Sequence, residues 1–342
     1  MRIFHSDQSR RHDAPTYFRR GRLIDHPESP ARYDALLSAA IGAGLESRTP
    51  ADAGMDPLLK VHSADYLTFL QTAWSRRAEI DETAEELLNG HFAKPQMHRR
   101  PTGLLGLLGY YACDTSTCIR EGTWDAVYWS AQSAIAAAED CLGEGASYAL
   151  CRPPGHHAFA DASAGFCYLN NSAIAAAYLR DRTGGRVAVL DVDVHHGNGT
   201  QAIFYDSADV LTLSIHCDTS DYYPFYAGYA DERGKGAGEG LNVNLPLPKQ
   251  SGDAVFLDAV CEALSLCRKA NVEALVVALG LDAAKDDPLG AFNVTAEGFA
   301  EASTLISQLA LPSVLVQEGG YLCDALPKNL AAFLTAWNAP RA

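Results

Sequence analysis

Four apolar runs in this chain each end in residues that can take part in chemistry. They are 148–151, which precedes 153–157; 187–190, which precedes 191–199; 274–278, which precedes 279–282; and 314–316, which precedes 317–321. In α/β folds, ligands gather in the crevice at the carboxyl ends of parallel strands. The four runs therefore predict an open parallel sheet whose strand ends assemble one site from distant parts of the chain.

The segment 187–199 has acids and an imidazole at every second position. On a strand, that spacing places Asp191, Asp193 and His195 on one face. Burying two carboxylates and an imidazole together is costly unless a cation or full hydrogen bonding compensates them. A satisfied polar network is one interpretation, and a metal is the simplest compensation. Asp193, His195 and Asp282 would give a tetrahedral zinc three ligands and leave the fourth position to water, as in hydrolases.

Strand-like and helix-like segments alternate along the chain. Strand-like runs are 146–151, 186–193, 210–216, 274–282 and 313–317, and helix-like segments are 31–47, 124–142, 170–182, 253–270 and 296–310. The alternation predicts an α/β fold with a central parallel β-sheet covered by helices on both faces. No linker or repeat divides the chain, so we predict a single domain over 1–342. Two long excursions, about 76–104 and 218–240, are typical of functional or flexible loops.

The chain is acidic, with 27 Lys and Arg against 42 Asp and Glu and a formal net charge of -15. This charge argues against nucleic-acid binding and suits a cationic small molecule, although solubility alone would also explain it. No apolar run approaches the ~20 residues that cross a bilayer, and no secretory stretch opens the sequence. Nine scattered cysteines without a C-x-x-C pair indicate reduced thiols. We expect a cytoplasmic protein that binds neither nucleic acid nor membrane.

Several motifs, taken in order, resemble the zinc-dependent deacetylase superfamily, which holds the histone deacetylases and the bacterial acetylpolyamine amidohydrolases. The motifs lie at 26–30, 61–67, 152–157, 165–171, 191–199, Asp282 and 319–321. Each is weak alone, but together they span most of the chain. The resemblance implies the arginase and deacetylase fold and an amidohydrolase with one zinc ion, for which Fe²⁺ or Co²⁺ could substitute.

The same resemblance assigns roles around the metal. His156 and His157 would contact the attacking water, and we predict His157 as general base and acid with His156 mainly electrostatic. Tyr321 would donate a hydrogen bond to the developing oxyanion. Asp191 would lie behind His156 and Asn198 behind His157. A neutral amide favours the imidazolium less than a carboxylate does, which leaves His157 more available as a base.

Two potassium sites are also implied by the resemblance. The first would use Asp191, Ser214 and backbone carbonyls near Asp193, His195 and Ile215. The second would lie among Phe204, Ser207, Val210 and Leu241. Ordinary strand and loop structure is the alternative for both sets.

The resemblance further implies a narrow substrate tunnel walled by aromatic rings. Phe166 and Tyr223 match the wall positions, and Gly165 and Gly319 are also expected to contact substrate. The insertion at about 76–104 resembles that of the acetylpolyamine amidohydrolases, where it shapes a homodimer and narrows the mouth. We therefore expect a homodimer and a small cationic acetylated amine as substrate.

The residues that recognise the positive charge of the substrate in that subgroup differ in this chain. Its polyamine-recognising glutamates fall at Leu105 and Ser116 here, so Asp114 or Glu121 would have to replace them, and we predict Asp114 as the partner of the distal ammonium. An acetylpolyamine is the expected substrate. A broad-specificity acyl-lysine deacylase is the alternative.

Two other classes of protein compete with a one-metal deacetylase. A two-manganese ureohydrolase shares the general fold but would carry a D-x-D motif at Asp282, where this chain has Asp282-Ala283-Ala284. A non-catalytic metal-binding module would have lost Tyr321 or one of the paired histidines. All of these are present, so the sequence favours the enzyme.

Overall fold

The computed structural model describes residues 1–94, 96–97 and 99–339, so Pro95 and His98 of the predicted insertion and residues 340–342 of the predicted domain lie outside the described residues. The strands are β1 (Arg2–Phe4), β2 (Thr16–Arg19), β3 (Arg22–Asp25), β4 (Glu46–Arg48), β5 (Ala146–Ala149), β6 (Val187–Asp191), β7 (Val210–Cys217), β8 (Asn242–Leu247), β9 (Ala274–Leu279) and β10 (Ser313–Gln317). The helices are α1 (Pro30–Gly42), α2 (Asp56–Leu59), α3 (Ala64–Thr72), α4 (Leu104–Tyr110), α5 (Thr123–Glu144), α6 (Asn171–Thr183), α7 (Asn198–Phe204), α8 (Asp253–Lys269), α9 (Ala296–Ser307) and α10 (Leu326–Asn338).

Eight strands form one sheet in the order β4-β1-β5-β10-β9-β6-β7-β8, while β2 and β3 form a separate hairpin. Every neighbouring pair in the large sheet is parallel. This confirms the predicted parallel sheet. The four strands whose ends carry chemistry, β5, β10, β9 and β6, are neighbours at its centre. Their carboxyl ends therefore meet at one edge of the sheet.

Helices cover both faces of the sheet, as predicted. Leu190 of β6 belongs to the core that includes Phe256 of α8. The preceding residue, Val189, belongs to the core on the opposite face, with Ile174 of α6. Successive side chains of a strand point to opposite faces, so a buried strand must be apolar throughout. This explains why β6 has an apolar run with no polar alternation until Asp191.

The first predicted helix, 31–47, is wrong at its carboxyl end. Helix α1 ends at Gly42, and Gly44 adopts a φ of +87°, a left-handed conformation that glycine adopts readily. The chain then turns back and forms β4 at the sheet edge. Strands β1, β2, β3 and β8 were also not predicted.

The strand prediction for 186–193 extends two residues too far, and the idea that Asp191, Asp193 and His195 share one strand face is wrong. Strand β6 ends at Asp191, and the next residues bend away. Asp191 Oδ1 accepts the backbone N–H of Asp193 at 3.1 Å, and Asp193 Oδ1 accepts that of His195 at 2.9 Å. Aspartates bonded to the backbone two residues on form turns, which end the strand.

Both long excursions are largely irregular, although 76–79 of the first belong to a 3₁₀ helix and α4 begins at Leu104. Over 81–103 the described residues include no helix and only a single bridge, Leu87 to Ile119, and 218–240 includes only a short 3₁₀ turn. Within the described ranges, no helix is long and apolar enough to span a bilayer. All nine cysteines are described, and none is paired in a disulfide.

Candidate active site

Three side chains with metal-binding atoms converge at the carboxyl ends of β6 and β9. They belong to Asp193, His195 and Asp282, and their candidate ligand atoms lie within 4.8 Å of one another. His195 Nδ1 is 3.0 Å from Asp193 Oδ1 and 3.1 Å from Asp282 Oδ2. Both carboxylates are fully buried. The structure thus brings together the three residues that the sequence proposed as ligands.

The surroundings of these carboxylates suit a bound cation. Burial alone would lower the pKa of His195, but hydrogen bonds to Asp193 and Asp282 raise it to about 9. The cluster therefore stabilises positive charge. The backbone N–H of Gly319 donates to Asp193 Oδ2 at 2.7 Å, and that of Val194 donates to Asp282 Oδ1 at 3.0 Å. Two oriented carboxylates and an imidazole match the ligand set of an open divalent-metal site.

Gly319 is close-packed against the same carboxylates. A Cβ atom at this position would lie 2.1 Å from Asp282 Oδ2 and 2.4 Å from Asp193 Oδ2. No larger residue fits without displacing them. The structure therefore places Gly319 at the cluster of candidate metal ligands, whereas its predicted contact with substrate stays a prediction.

The two adjacent histidines follow β5 and lie beside this cluster. Their ring centroids are 4.0 Å apart. His156 Nδ1 lies 2.9 Å from Asp191 Oδ2, and His157 Nδ1 lies 2.7 Å from Asn198 Oδ1. Because the amide oxygen of Asn198 accepts, Nδ1 of His157 carries the proton and Nε2 is left as the basic nitrogen.

The different surroundings of the two imidazoles shift their pKa values in opposite directions. Burial alone would lower the pKa of His156, but the charges of Asp193 and Asp191 outweigh it and raise that pKa well above its usual value. Burial, followed by the charges of His156 and His195, lowers the pKa of His157 well below its usual value. His157 is therefore the neutral imidazole of the pair at pH 7.

Tyr321 lies two residues beyond Gly319, with its ring beside that of Phe166. Its side chain is buried, and within the described part of the chain its hydroxyl has no hydrogen-bond partner. The backbone N–H of Tyr321 donates to Asp287 Oδ2 at 2.7 Å. Burial, with the charges of Asp282 and Asp193, raises the pKa of Tyr321 well above its usual value. The hydroxyl therefore keeps its proton and remains a donor.

Aromatic rings wall the approach to these groups. Tyr223 meets the ring of His157 edge-on at 5.0 Å, and Phe166 meets Tyr321 at 5.9 Å. Gly165 has a φ of +53°, and a Cβ there would lie 2.3 Å from His157 Cδ2. The structure thus places Tyr223 and Gly165 beside His157, and Phe166 beside Tyr321.

Asp114 also lies here, but its oxygens are already used. Oδ2 accepts the hydroxyl of Tyr223 at 2.7 Å and the N–H of Gly165 at 3.2 Å, and Oδ1 accepts the N–H of Ser116 at 2.8 Å. Ser116 Oγ in turn accepts the N–H of Phe166 at 3.2 Å. Asp114 and Ser116 therefore hold the aromatic walls in place.

The residues proposed for potassium occupy neighbouring positions on β6, β7 and the segments beside them. Asp191 pairs with Ser214 across the sheet, and both side chains line one small cavity. Ile215 follows in β7. For the second set, Ser207 donates its N–H to the carbonyl of Phe204 at 3.0 Å. The other members are Val210, which begins β7, and Leu241, whose carbonyl accepts the N–H of Thr212 at 2.9 Å.

Four residues that hold the site were not assigned a role from the sequence. Arg32 of α1 donates to the backbone carbonyls of Glu318 and Gly320. Tyr222 stacks on His195 with centroids 5.0 Å apart and planes at 15°. The other two are Asp287, described above, and Glu318, which is fully buried. Of the four, only Glu318 could have been recognised from the sequence, because it is a carboxylate directly after an apolar strand, where an unpaired charge is costly to bury.

The fold, with these groups at the carboxyl edge of its sheet, is of the arginase and deacetylase class. Residues 26–337 match the family model described as the histone deacetylase domain, and the chain belongs to that family. An acetylpolyamine amidohydrolase from Burkholderia pseudomallei (strain 1710b) is 47% identical over 346 residues, with 100% of this chain and 99% of the relative covered. Acetylpolyamine amidohydrolase 1 of Pseudomonas aeruginosa PAO1 is 42% identical, with 98% and 99% covered. A crystal structure of acetylpolyamine aminohydrolase from B. pseudomallei aligns with a TM-score of 0.95 at 44% identity, covering 99% of each chain.

Proposed function

We propose that this protein, as a single domain over 1–342, is a zinc-dependent amidohydrolase that removes acetyl groups from small N-acetylated amines, most simply acetylpolyamines. The observation that carries the proposal is that a three-ligand cluster and a histidine pair lie together, with a tyrosine hydroxyl that has no partner among the described residues two positions beyond Gly319. The similarity to acetylpolyamine amidohydrolases over the whole chain supports the same chemistry. The acidic composition and the unpaired cysteines fit a cytoplasmic location.

Asp193, His195 and Asp282 would hold the zinc, and Fe²⁺ or Co²⁺ could take its place. When bound, such an ion lowers the pKa of a water towards ~7 and polarises a carbonyl. His157 would accept the proton of the attacking water at Nε2 and later deliver it to the departing amine. His156, paired with Asp191, would stay protonated and stabilise negative charge. The Tyr321 hydroxyl would donate to the oxyanion that forms at the carbonyl oxygen.

Metal analysis tests the ligand set. We expect one equivalent of divalent transition metal per purified chain, and we expect Asp282→Asn to bind much less, because the change removes one of two charged ligands. Asp258→Asn, which changes an exposed carboxylate on α8, is the matched control and should keep its metal. Cooperative binding of two equivalents would contradict the proposal and favour a ureohydrolase.

Potassium ions would occupy the two neighbouring sets described above. The first is supported by the shared cavity of Asp191 and Ser214, where a buried carboxylate and a hydroxyl offer oxygen ligands. The second is supported by the proximity of the Phe204 and Ser207 backbone. The metal analysis, run on protein prepared in potassium without sodium, should therefore also detect potassium.

A small cationic acetylated amine suits the mouth better than a folded protein. The aromatic walls of Phe166 and Tyr223 would contact a methylene chain, which gains about 0.8 kcal/mol for each buried CH₂ group. The net charge of -15 would attract cations. Asp114 remains the proposed partner of the distal ammonium, although its present bonds to Tyr223 and Gly165 mean that it would have to share its oxygens.

A substrate panel distinguishes this proposal from a broad acyl-lysine deacylase. We expect kcat/KM to be highest for an acetylpolyamine, lower for an uncharged acetylated alkylamine of equal length, and lowest for an acetyl-lysine peptide. Equal values for the two amines would remove the electrostatic argument. A clear preference for the peptide would assign the protein to the acyl-lysine deacylases. Release of no acetate from any of them would favour a non-catalytic module.

The insertion at 76–104 would form a homodimer contact and narrow the mouth. Apolar side chains are exposed in this segment and directly after it: Met97 is 63% exposed and Leu105 is 52% exposed. Exposed apolar side chains can be buried by a partner subunit. Light scattering should give twice the chain mass of 36.7 kDa, and a monomer would contradict this part of the proposal.

A further inference from the structure

Glu318 is a fully buried carboxylate between β10 and Tyr321. Its Oε2 accepts the backbone N–H of Gly155 at 2.6 Å and that of His156 at 3.0 Å. Its Oε1 accepts the hydroxyl of Ser172, near the start of α6, at 2.6 Å. One side chain thus joins the strand end that leads to Tyr321 with the segment that carries the histidine pair.

The charge of Glu318 lies near the imidazole of His156, with candidate ligand atoms of the two residues within 4.8 Å of each other, but the hydrogen bonds of Glu318 do not require that charge. Burial raises the pKa of Glu318 to about 7, although the positive charge of His156 opposes the shift. No arginine or lysine forms an ion pair with this carboxylate among the described residues. Its partners are instead two backbone amides and one hydroxyl, which need only an acceptor in the right place.

We propose that Glu318 is a positioning residue, which fixes the backbone of His156 relative to Tyr321 through acceptor geometry and not through charge. The inference rests on the proposed function, in which His156 and Tyr321 act on one reaction centre. The side chain of His156 is already oriented by Asp191 at Nδ1. Glu318 holds the backbone of the same residue, so the ring cannot shift along the sheet edge.

Two substitutions separate acceptor geometry from charge. In Glu318→Gln, the amide oxygen can accept both N–H groups, while the amide nitrogen donates to Ser172 Oγ, which is able to accept. In Glu318→Asp the charge is kept, but the side chain is shorter by one methylene, about 1.5 Å. The proposal therefore predicts that the neutral variant resembles wild type and the charged one does not.

The experiment measures kcat, KM and metal content on an acetylated amine for wild type, Glu318→Gln and Glu318→Asp. We expect Gln to stay within about threefold of wild-type kcat and Asp to lose about 100-fold, because displacement by about 1 Å costs that much at a reaction centre. KM and metal content should change little in both. Ser172→Ala is the matched control, since it leaves both backbone hydrogen bonds in place, and it should also stay within about threefold.

The imidazole NMR signals of His156 and His157 give a readout independent of activity. They should match wild type in Glu318→Gln and shift in Glu318→Asp. A folded Gln variant that loses more than tenfold in kcat, or whose signals shift as far as those of Asp, overturns the proposal, whether or not the Asp variant folds. An Asp variant that is as active as wild type also overturns it. Wild-type protein that is inactive on every amide refutes the proposed function instead, and the NMR comparison still decides the positioning role.

Discussion

Replacing Tyr321 with Phe is expected to lower kcat by about 100- to 1000-fold, the usual cost of losing one oxyanion donor. The hydroxyl has no hydrogen-bond partner among the described residues, and its raised pKa keeps the proton on the oxygen. It is thus free to donate only when negative charge develops on the substrate. Because that interaction strengthens in the transition state, kcat should fall more than KM changes. Steady-state kinetics on an acetylated amine would measure the loss.

Metal content and fold should survive the same substitution. Phe keeps the ring that packs against Phe166, and the backbone N–H that donates to Asp287 is unchanged. Tyr226→Phe is a matched control, because Tyr226 is 92% exposed and its hydroxyl contacts none of these groups. A Tyr321→Phe protein with normal metal content and near-normal kcat would show that another group stabilises the oxyanion.

His157→Ala is expected to be at least as damaging, with kcat falling by about 100- to 10,000-fold through loss of a general base and acid. The bond from Nδ1 to Asn198 leaves Nε2 unprotonated, and the low pKa of this ring keeps it neutral at pH 7. His156, bonded to the Asp191 carboxylate, is protonated and cannot take over proton abstraction. The comparison to make is kcat for the two single alanine variants.

Which of the two alanine variants has the lower kcat decides which histidine is the base. His156→Ala should retain more activity than His157→Ala, since it removes electrostatic stabilisation but leaves the basic nitrogen. His91→Ala, at an exposed histidine in the insertion, controls for loss of an imidazole in general. The reverse order, with His156→Ala the more damaged, would transfer the base to His156.

The central strands could be predicted because each is buried on both faces and is therefore apolar throughout. The edge strands could not. All three residues of β4 are exposed, and β8 contains Pro246, which a sheet tolerates at an edge. Nothing in the short polar β4 distinguishes a strand from a loop, and in β8 the proline obscures the alternation of apolar residues. Both become strands because a neighbouring strand pairs with them.

The residues of the candidate site also fall into those that the sequence could predict and those that it could not. Its metal-binding and histidine residues could be predicted because they follow strands directly, and parallel strands bring their carboxyl ends together. Arg32 reaches the site from a helix and Asp287 from a loop, so their positions depend on tertiary packing that local spacing does not encode. For Asp114, the sequence indicated an acid near the mouth of the site. It did not indicate the four hydrogen bonds that this carboxylate already accepts from Tyr223, Gly165 and Ser116.

The position of β10 makes the site depend on a segment that is synthesised after the other strands. This strand is the last in sequence, yet it lies between β5 and β9 in the middle of the sheet. A growing polypeptide cannot close its sheet until residues 313–317 have left the ribosome, and the same segment delivers Glu318 and Tyr321. Chains that end before this segment would consequently carry the candidate metal ligands without the proposed oxyanion donor. Newly made protein would acquire hydrolytic activity only after residues 313–321 have been synthesised and β10 has joined the sheet.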